Sequence, residues 1–190
     1  MKLYIRAAIS EINNESDEDR QDIALNPNTP VEVLEQLSDD KSTAVRICLL
    51  CNPALPDYLI DKLLSTDDII LLEQVAVCMS APPKILTILG DHWRNLIRSR
   101  VAWNPYTPAS VLRKLSDDDN IGVRANVAGN KNTPTDILEK LSVDSDVEIR
   151  AHIAENLSTP ISILQRLFAE DDDDFVRGMA RRNLHNRGLI

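Results

Sequence analysis

Apolar residues return along this chain with a period of about 26 residues, in two short runs per period. In residues 123–141, the first run places Val123, Val127 and Ala128 on one helical face. The second run places Leu138 and Leu141 three residues apart. Equivalent sets occur elsewhere: Val45, Leu49 and Leu50; Ile97, Val101 and Ala102; Ile149, Ile153 and Ala154; and the pairs Leu34/Leu37, Leu112/Leu115 and Leu164/Leu167. Helices this short are marginal in isolation, so the pattern predicts helix pairs that cover one another's apolar faces.

One arginine recurs in step with these apolar runs, and an asparagine follows it by six residues. The arginines are Arg20, Arg46, Arg98, Arg124, Arg150 and Arg177, and the asparagines are Asn26, Asn52, Asn104, Asn130, Asn156 and Asn183. With Gln74 and Ser80 placed in the one gap, the intervals between arginine positions are 26, 28, 24, 26, 26 and 27 residues. A fixed period in this range indicates stacked units that do not fold alone.

The turn residues predict where each helix ends and the next begins. Asn followed by Pro, as in Asn104-Pro105, predicts a helix end with the asparagine in the left-handed conformation. Thr followed by Pro, as in Thr107-Pro108, predicts a threonine N-cap with proline at the first helical position. The second helix of each repeat spans barely two turns, which is compatible with some 3₁₀ character. Acidic loops close the units.

The third repeat departs from the pattern. Ser80-Ala81-Pro82-Pro83 replaces the usual Asn-Pro-x-Thr-Pro segment, which predicts a loop shorter by two residues. The preceding loop, residues 65–72, is correspondingly expected to be longer by two residues. We expect local curvature to change at this repeat.

Composition and charge narrow the classes of function. The net charge is −9 and the pI is about 4.8, which argues against broad binding to phosphate groups. No apolar run approaches the roughly 18 residues of a membrane span, and residues 1–6 do not resemble a secretion signal. Three cysteines, an odd number, suit reduced thiols and a cytoplasmic location.

The recurring arginines are predicted to be structural. With 100° per residue, each lies between two apolar positions at the centre of the buried arc, where a charge must be paired. An aspartate precedes the arginine position by six residues in most repeats: Asp40, Asp68, Asp118, Asp144 and Asp171. We therefore expect a ladder of arginine and aspartate, with the asparagines bridging between layers.

Candidate reactive groups do not assemble into a site in the sequence. Cys48 and Cys51 are three residues apart, and Cys78 falls in a column otherwise filled by alanine. No fourth ligand accompanies them, so we expect no metal and no cofactor. His92, His152 and His185 lie in different repeats, without a nucleophile or a glycine-rich phosphate loop nearby. The sequence therefore predicts a protein that is not an enzyme.

Two columns of the first helices are predicted to point outward, at the second and fifth positions after the arginine. The fifth-position column is apolar from Leu25 through Cys51 and Met79 to Trp103, and then becomes polar. Contiguous apolar residues on a surface mark contact sites, and Trp is a frequent hot-spot residue. The predicted binding face consists of Leu25, Cys51, Met79, Arg100, Trp103 and His152.

The recurring phrase V-R-x-x-V-A-x-N-P-x-T-P-x-x-x-L-x-x-L resembles the leucine-rich repeat variant family, and more loosely HEAT-type solenoids. The resemblance covers residues of about 20 to 183. It implies an all-α, right-handed solenoid of about seven two-helix repeats, in which α-helices alternate with short α or 3₁₀ helices. One known member of that family carries an iron–sulfur cluster on N-terminal cysteines. This chain has no cysteine before Cys48, so that feature does not transfer.

Together these features predict one elongated repeat domain over residues 1–190, with an N-terminal cap (1–19), repeats (20–176) and a C-terminal cap (177–190). The predicted function is that of a non-catalytic scaffold that binds an unidentified protein. One alternative is a HEAT-like protein that associates with nucleic acid through Arg94, Arg98, Arg100 and the basic C-terminus. A third is a redox or metal protein at Cys48 and Cys51. The sequence leaves the oligomeric state open.

Overall fold

The structure is a computed structural model that describes Ile12 and residues 14–190. This part of the chain contains thirteen α-helices and no β-strand. The helices are α1 (Asp17–Leu25), α2 (Val31–Leu37), α3 (Thr43–Leu50), α4 (Asp57–Leu64), α5 (Ile69–Val77), α6 (Pro83–Leu89), α7 (Asn95–Trp103), α8 (Ala109–Leu115), α9 (Ile121–Gly129), α10 (Thr135–Leu141), α11 (Val147–Glu155), α12 (Ile161–Glu170) and α13 (Asp174–Asn186).

The helices form successive pairs, so the chain is an α-solenoid of two-helix repeats. Odd-numbered helices are the first helices of the repeats, and even-numbered helices are the second. The chain divides into two compact units at α6, one ending at Ile85 and the other spanning Leu86–Ile190. In the first unit α1 packs on α3 and α3 on α5. In the second, α7, α9, α11 and α13 pack in sequence.

The core is aliphatic, as the apolar pattern predicts. Within α9, Val123, Val127 and Ala128 are fully buried, and in the following α10 Leu138 and Leu141 are almost fully buried. The second helix of each repeat is α-helical, and the described residues contain no 3₁₀ segment. Each first helix therefore buries one aliphatic stripe against its neighbours, as stacked repeats require.

The third repeat keeps the regular period, contrary to the predicted changes in loop length. Helix α5 begins and ends 26 residues before α7, and its buried residues Val75 and Ala76 correspond to Val101 and Ala102. The residue equivalent to Arg98 is therefore Leu72, and the placement of Gln74 in the arginine column is wrong. Cys78, which ends α5, takes the place of the asparagine that was assigned to Ser80. The backbone period is regular in this repeat, although the arginine and asparagine of the other repeats are absent from it.

The turn chemistry also differs from the prediction. No non-glycine residue in the described part of the chain has a positive φ, and Asn104 ends α7 in an extended conformation. Proline, not threonine, is the N-cap residue of α8. The Thr107 hydroxyl instead donates a hydrogen bond of 2.6 Å to the carbonyl of Val101 in the preceding helix. Threonine therefore closes the end of one helix rather than opening the next.

The two predicted caps differ in how far the structure describes them. The N-terminal cap, residues 1–19, lies largely outside the described residues, since 1–11 and 13 are not included. At the other end, α13 packs on α11 and α12. Arg187, just after α13, donates hydrogen bonds to the carbonyls of Thr159 and Leu157 at 2.9 and 2.7 Å. The interpretation of residues 1–190 as one elongated domain stays a prediction.

Candidate binding surface

An arginine ladder joins each repeat to the next within both units. In the second unit, Arg98 Nε and Nη2 donate to the carboxylate of Asp118 at 2.5 and 2.9 Å. The pairs Arg124–Asp144 and Arg150–Asp171 repeat this two-point contact. Two-point arginine–carboxylate contacts fix the relative position of both groups. The partner aspartate lies in the acidic loop that ends the repeat, directly before the next first helix, so each pair holds a first helix to the loop that leads into the next layer.

The same aspartates also accept a hydrogen bond from the arginine of the first helix that follows them. Arg124 Nη1 donates to the backbone carbonyl of Asp118 at 2.8 Å, and Arg150 Nη1 donates to that of Asp144 at 2.9 Å. Each aspartate therefore contacts one arginine through its carboxylate and the next through its carbonyl. Arg177, in the last helix, donates to the carbonyl of Asp171 and to Asp174.

In the ladder, burial and hydrogen bonding shift the pKa values of the aspartates in opposite directions. Arg150 is buried, whereas Arg124 and Arg98 retain 16% and 20% of their side-chain exposure. Partial burial alone would raise the pKa of the aspartate carboxyls. Hydrogen bonds from the arginines and from backbone N–H groups outweigh it, so the pKa values of Asp118, Asp144 and Asp171 lie below the ordinary value.

The asparagines bridge the layers with their amides. Asn130 Nδ2 donates to the carbonyls of Ala102 and Asn104 in the preceding repeat at 2.7 and 2.9 Å, and its Oδ1 accepts the N–H of Asn132. Asn52, Asn156 and Asn183 make the same pair of inter-repeat bonds. These amides satisfy helix-end carbonyls that burial would otherwise leave without partners.

One step of the ladder is absent in the repeat register. Leu72 stands where the other repeats have the arginine. His92 stands where they have the aspartate that this arginine would contact. Within the second unit, His92 still carries out the local part of the role: its carbonyl accepts Arg98 Nη1 at 2.9 Å, and its Nδ1 accepts the N–H of Arg94 at 3.1 Å. Both members of the missing ion pair are therefore replaced.

The predicted binding residues of the second unit lie on the outer face of its first helices. Trp103 is 59% exposed, Arg100 is exposed and His152 is half-exposed. Gly129 lies between the tryptophan and the histidine: a Cβ there would be 3.7 Å from Trp103 Cζ3 and 3.8 Å from His152 Nδ1. We call the surface formed by Trp103, Gly129 and His152 the Trp103 surface.

The predicted residues of the first unit do not form the expected helical column. Leu25 ends α1 and is 41% exposed, and Cys51, directly after α3, is half-buried. Met79 is 64% exposed but lies in the turn after α5. Because the period is regular, the helical position that follows Leu25 and Cys51 is Val77, which is 40% exposed. The assignment of Met79 to the column was an error of register.

The structure changes which cysteines are neighbours. Cys51 Sγ lies 3.8 Å from Cys78 Sγ, whereas Cys48 Sγ contacts Gln21 Oε1. Cys78 is half-exposed, unlike the fully buried alanines of its predicted packing column. Within the described residues, no three His, Cys, Asp or Glu side chains are grouped as metal ligands. The expectation of no bound metal stays a prediction.

Several exposed apolar residues were not singled out from the sequence. Leu157 is 78% exposed and occupies the site of the proline in Asn-Pro turns. Trp93 is 73% exposed, with the guanidinium of Arg94 4.1 Å from its ring centre and the His92 ring stacked on it. Leu157, Met179 and Arg182 also line an open cavity of about 280 Å³ in the second unit. A consensus comparison would have revealed Leu157 but not the arrangement around Trp93.

No helix in the described ranges combines the length and the apolar character that crossing a bilayer requires. This finding concerns the thirteen helices alone.

Comparison with known proteins agrees with the repeat architecture. Residues 121–146 match the model of the family described as Leucine rich repeat variant. The chain is similar to a solved leucine-rich repeat variant described as having a novel repetitive structural motif, with 24% identity and a TM-score of 0.59 over 94% of this chain and 71% of that one. The resemblance to this family and the solenoid fold are thereby confirmed.

A second solved structure, an engineered protein, shares 17% identity over 89% of this chain and 88% of that one, with a TM-score of 0.34. At that level the likeness carries no argument. None of the curated proteins compared with the chain matches it.

Proposed function

We propose that this repeat scaffold binds a partner protein through the outer face of its first helices, without catalysing a reaction. The observation that carries the proposal is Trp103, which is 59% exposed beside Gly129. Tryptophan is among the residues that most often dominate the binding energy of protein interfaces. Arg100 lies one turn before Trp103 on the same helix and adds a cationic group to this surface.

The helices that carry the Trp103 surface are bonded to one another. Asn130 and the arginine ladder hold α7, α9 and α11 together, and Ala125 and Ala151 are buried. A partner that packs on Trp103 would bury apolar area without ordering a flexible loop, which limits the entropic cost of association. His152 supplies a hydrogen-bonding group beside the tryptophan.

Nucleic acid is the alternative partner, and its predicted contacts have other roles. Arg98 is paired with Asp118, and Arg94 stacks on Trp93. The net charge of −9 also opposes association with a polyanion.

Free thiols at all three cysteines accord with the cytoplasm, where we place the protein.

The test compares two exposed tryptophans of the same unit. The full chain, Trp103→Ala and Trp93→Ala would be immobilised, and bound proteins from the source cell would be quantified and then titrated individually. We expect a partner whose affinity falls about 30-fold with Trp103→Ala, which corresponds to ~2 kcal/mol. Trp93→Ala should leave that affinity unchanged.

Two results would overturn the proposal. One is that every partner binds the wild type and Trp103→Ala equally while circular dichroism shows both folded. The other is tight binding to a labelled oligonucleotide with a steep loss of affinity on adding salt, which is the behaviour of a phosphate-binding surface.

A further inference from the structure

Two thiols meet across a repeat boundary in the first unit. Cys51 follows α3 and Cys78 follows α5, and their Sγ atoms are 3.8 Å apart. Both are unoxidised and partly exposed. Cys78 occupies the repeat position from which Asn52 reaches back to the carbonyls of Ala24 and Asn26. A side chain at this position is therefore directed at the preceding repeat, where Cys78 meets Cys51.

We propose that Cys51 and Cys78 are a thiol–disulfide exchange site that closes to a disulfide when it meets a low-molecular-weight disulfide such as glutathione disulfide. A disulfide requires its sulfur atoms at about 2.05 Å, so the two Sγ atoms must approach by about 1.8 Å. The closed form would join successive repeats covalently at a place where the other repeats use an asparagine amide.

The exchange balances without any further reagent. The Cys78 thiolate attacks one sulfur of glutathione disulfide, forms a mixed disulfide and releases one glutathione thiolate. Cys51 then gives its proton to solvent and attacks Cys78 Sγ, which breaks the mixed disulfide and releases the second glutathione thiolate. Two protein thiols are oxidised by two electrons, and the small disulfide is reduced to two thiols.

The surroundings of Cys51 account for this order of attack. Burial raises the pKa of Cys51 to about 12, and the neighbouring Cys78 and Cys48 thiols contribute to the rise. Cys51 is therefore protonated at neutral pH, which leaves the first attack to Cys78. Once Cys78 is held in a mixed disulfide, Cys51 is the thiol beside its sulfur, at 3.8 Å, and closes the bond.

Cys48 provides a matched control on the same helix. It lies three residues before Cys51, and its Sγ is 3.8 Å from Gln21 Oε1. Burial raises the pKa of the Cys48 thiol as well. Cys48 therefore shares the environment of the pair and is expected to take no part in the bond.

The experiment exposes the full-length chain to glutathione disulfide at about pH 8, followed by alkylation and peptide mass mapping. We expect the wild type to lose two of its three alkylatable thiols and to yield a Cys51–Cys78 peptide, reversed by a reductant. Cys48→Ser should form the same bond. Cys51→Ser and Cys78→Ser should form no intramolecular bond, although each stays folded by circular dichroism.

A thermal melt gives an independent measurement. A bond between residues 27 apart restricts the unfolded chain, so the oxidised wild type should melt at a higher temperature than the reduced one, and Cys51→Ser should show no such shift. A Cys48–Cys51 bond, glutathione adducts that never close, or three thiols that remain alkylatable would each overturn the proposal.

Discussion

The two units of the chain use one backbone period with different side-chain bridges. In Leu86–Ile190, three arginine–aspartate pairs follow one another, and each arginine makes a two-point contact. In the unit that ends at Ile85, Arg20 makes such a contact with Asp40, and Arg46 makes a single carboxylate contact with Asp68. Leu72 then takes the next arginine position.

The hydrogen bonds made elsewhere by asparagine and threonine are also incomplete in the first unit. The asparagine position after α5 is Cys78, and Leu55 and Ala81 stand where other repeats have threonine. Both substitutes for threonine are buried. The comparison teaches that the aliphatic stripe and the period are present in both units, whereas the polar bridges between repeats are incomplete in the first unit.

The two units also differ in net charge. Residues 1–85 hold 7 Lys and Arg against 15 Asp and Glu, and residues 86–190 hold 14 against 15. The unit with fewer arginine pairs is therefore strongly acidic, and the unit with the complete ladder is nearly neutral. Like charges in excess oppose compaction, so the first unit is expected to unfold before the second.

The largest effect is expected from Arg150→Ala in the complete ladder. Arg150 contacts Asp171, Asp172 and the carbonyl of Asp144, and its removal leaves a buried carboxylate unpaired, at a cost of about 3 kcal/mol. Arg46→Ala, which loses one carboxylate contact, should cost about half as much. Urea unfolding followed by circular dichroism measures both.

The control for this pair of variants is Arg113→Ala. Arg113 contacts Asp136 at 2.5 Å, but both side chains are more than half exposed, and exposed ion pairs contribute little. Equal midpoints for Arg150→Ala and Arg113→Ala would show that the ladder is not a source of stability.

The second largest effect is expected from Asn130→Ala. The change deletes two inter-repeat hydrogen bonds and leaves the buried carbonyls of Ala102 and Asn104 without that donor. We expect a loss of about 2 kcal/mol in the free energy of unfolding. Asn126→Ala, whose amide contacts Ser99 from a half-buried position, should cost less, and the reverse order would contradict the role given to the asparagine column.

Acid should weaken the complete ladder. The pKa of Asp144 in the folded protein lies below its ordinary value, so its contribution is present above the unfolded pKa of about 4 and disappears as the pH falls through the folded value. Melting temperatures recorded downward from pH ~6 should fall less steeply for Asp144→Asn than for the wild type. Parallel curves would argue against a charged carboxylate at this position.

The smallest effect is expected from Thr133→Val, which removes the hydroxyl that donates to Val127 at 2.6 Å. Because the two side chains have nearly the same shape, the cost should be about 1 kcal/mol, that of a single buried hydrogen bond. Thr135→Val, at an exposed position two residues later, should leave the unfolding midpoint unchanged. Similar losses of stability from both variants would mean that the hydrogen bond of Thr133 does not account for the effect.

The sequence was enough to predict the repeats because the apolar stripe and the period are local signals. It also indicated that arginine pairs with aspartate and that asparagine bridges layers, as Arg124 and Asn130 do. It did not predict that each arginine takes the carboxylate of the aspartate in the loop after the next helix, since that choice depends on how the helices pack. The roles of Thr107 and Asn104 were missed because capping preferences describe isolated helices.

The third repeat shows why the candidate surface was harder to predict. Gln74 is polar and lies near the arginine position, so the sequence pattern favours it there, and the same register puts Met79 in the predicted binding face. Burial, which the structure supplies, shows that Leu72 and Val77 hold those positions. The proximity of Cys51 and Cys78 followed from the same corrected register and was not visible in the spacing of the cysteines.

The most direct test of the ladder is a double-mutant cycle on Arg124 and Asp144, with Arg113 and Asp136 as the exposed reference pair. Each single variant and each double variant would be unfolded in urea, and the coupling energy taken from the cycle. The ladder predicts a coupling of about 2 kcal/mol for Arg124–Asp144 and none that can be measured for the exposed pair. A coupling below about 0.5 kcal/mol for Arg124–Asp144 would contradict the account, because the pair would then join the repeats in geometry but not in energy.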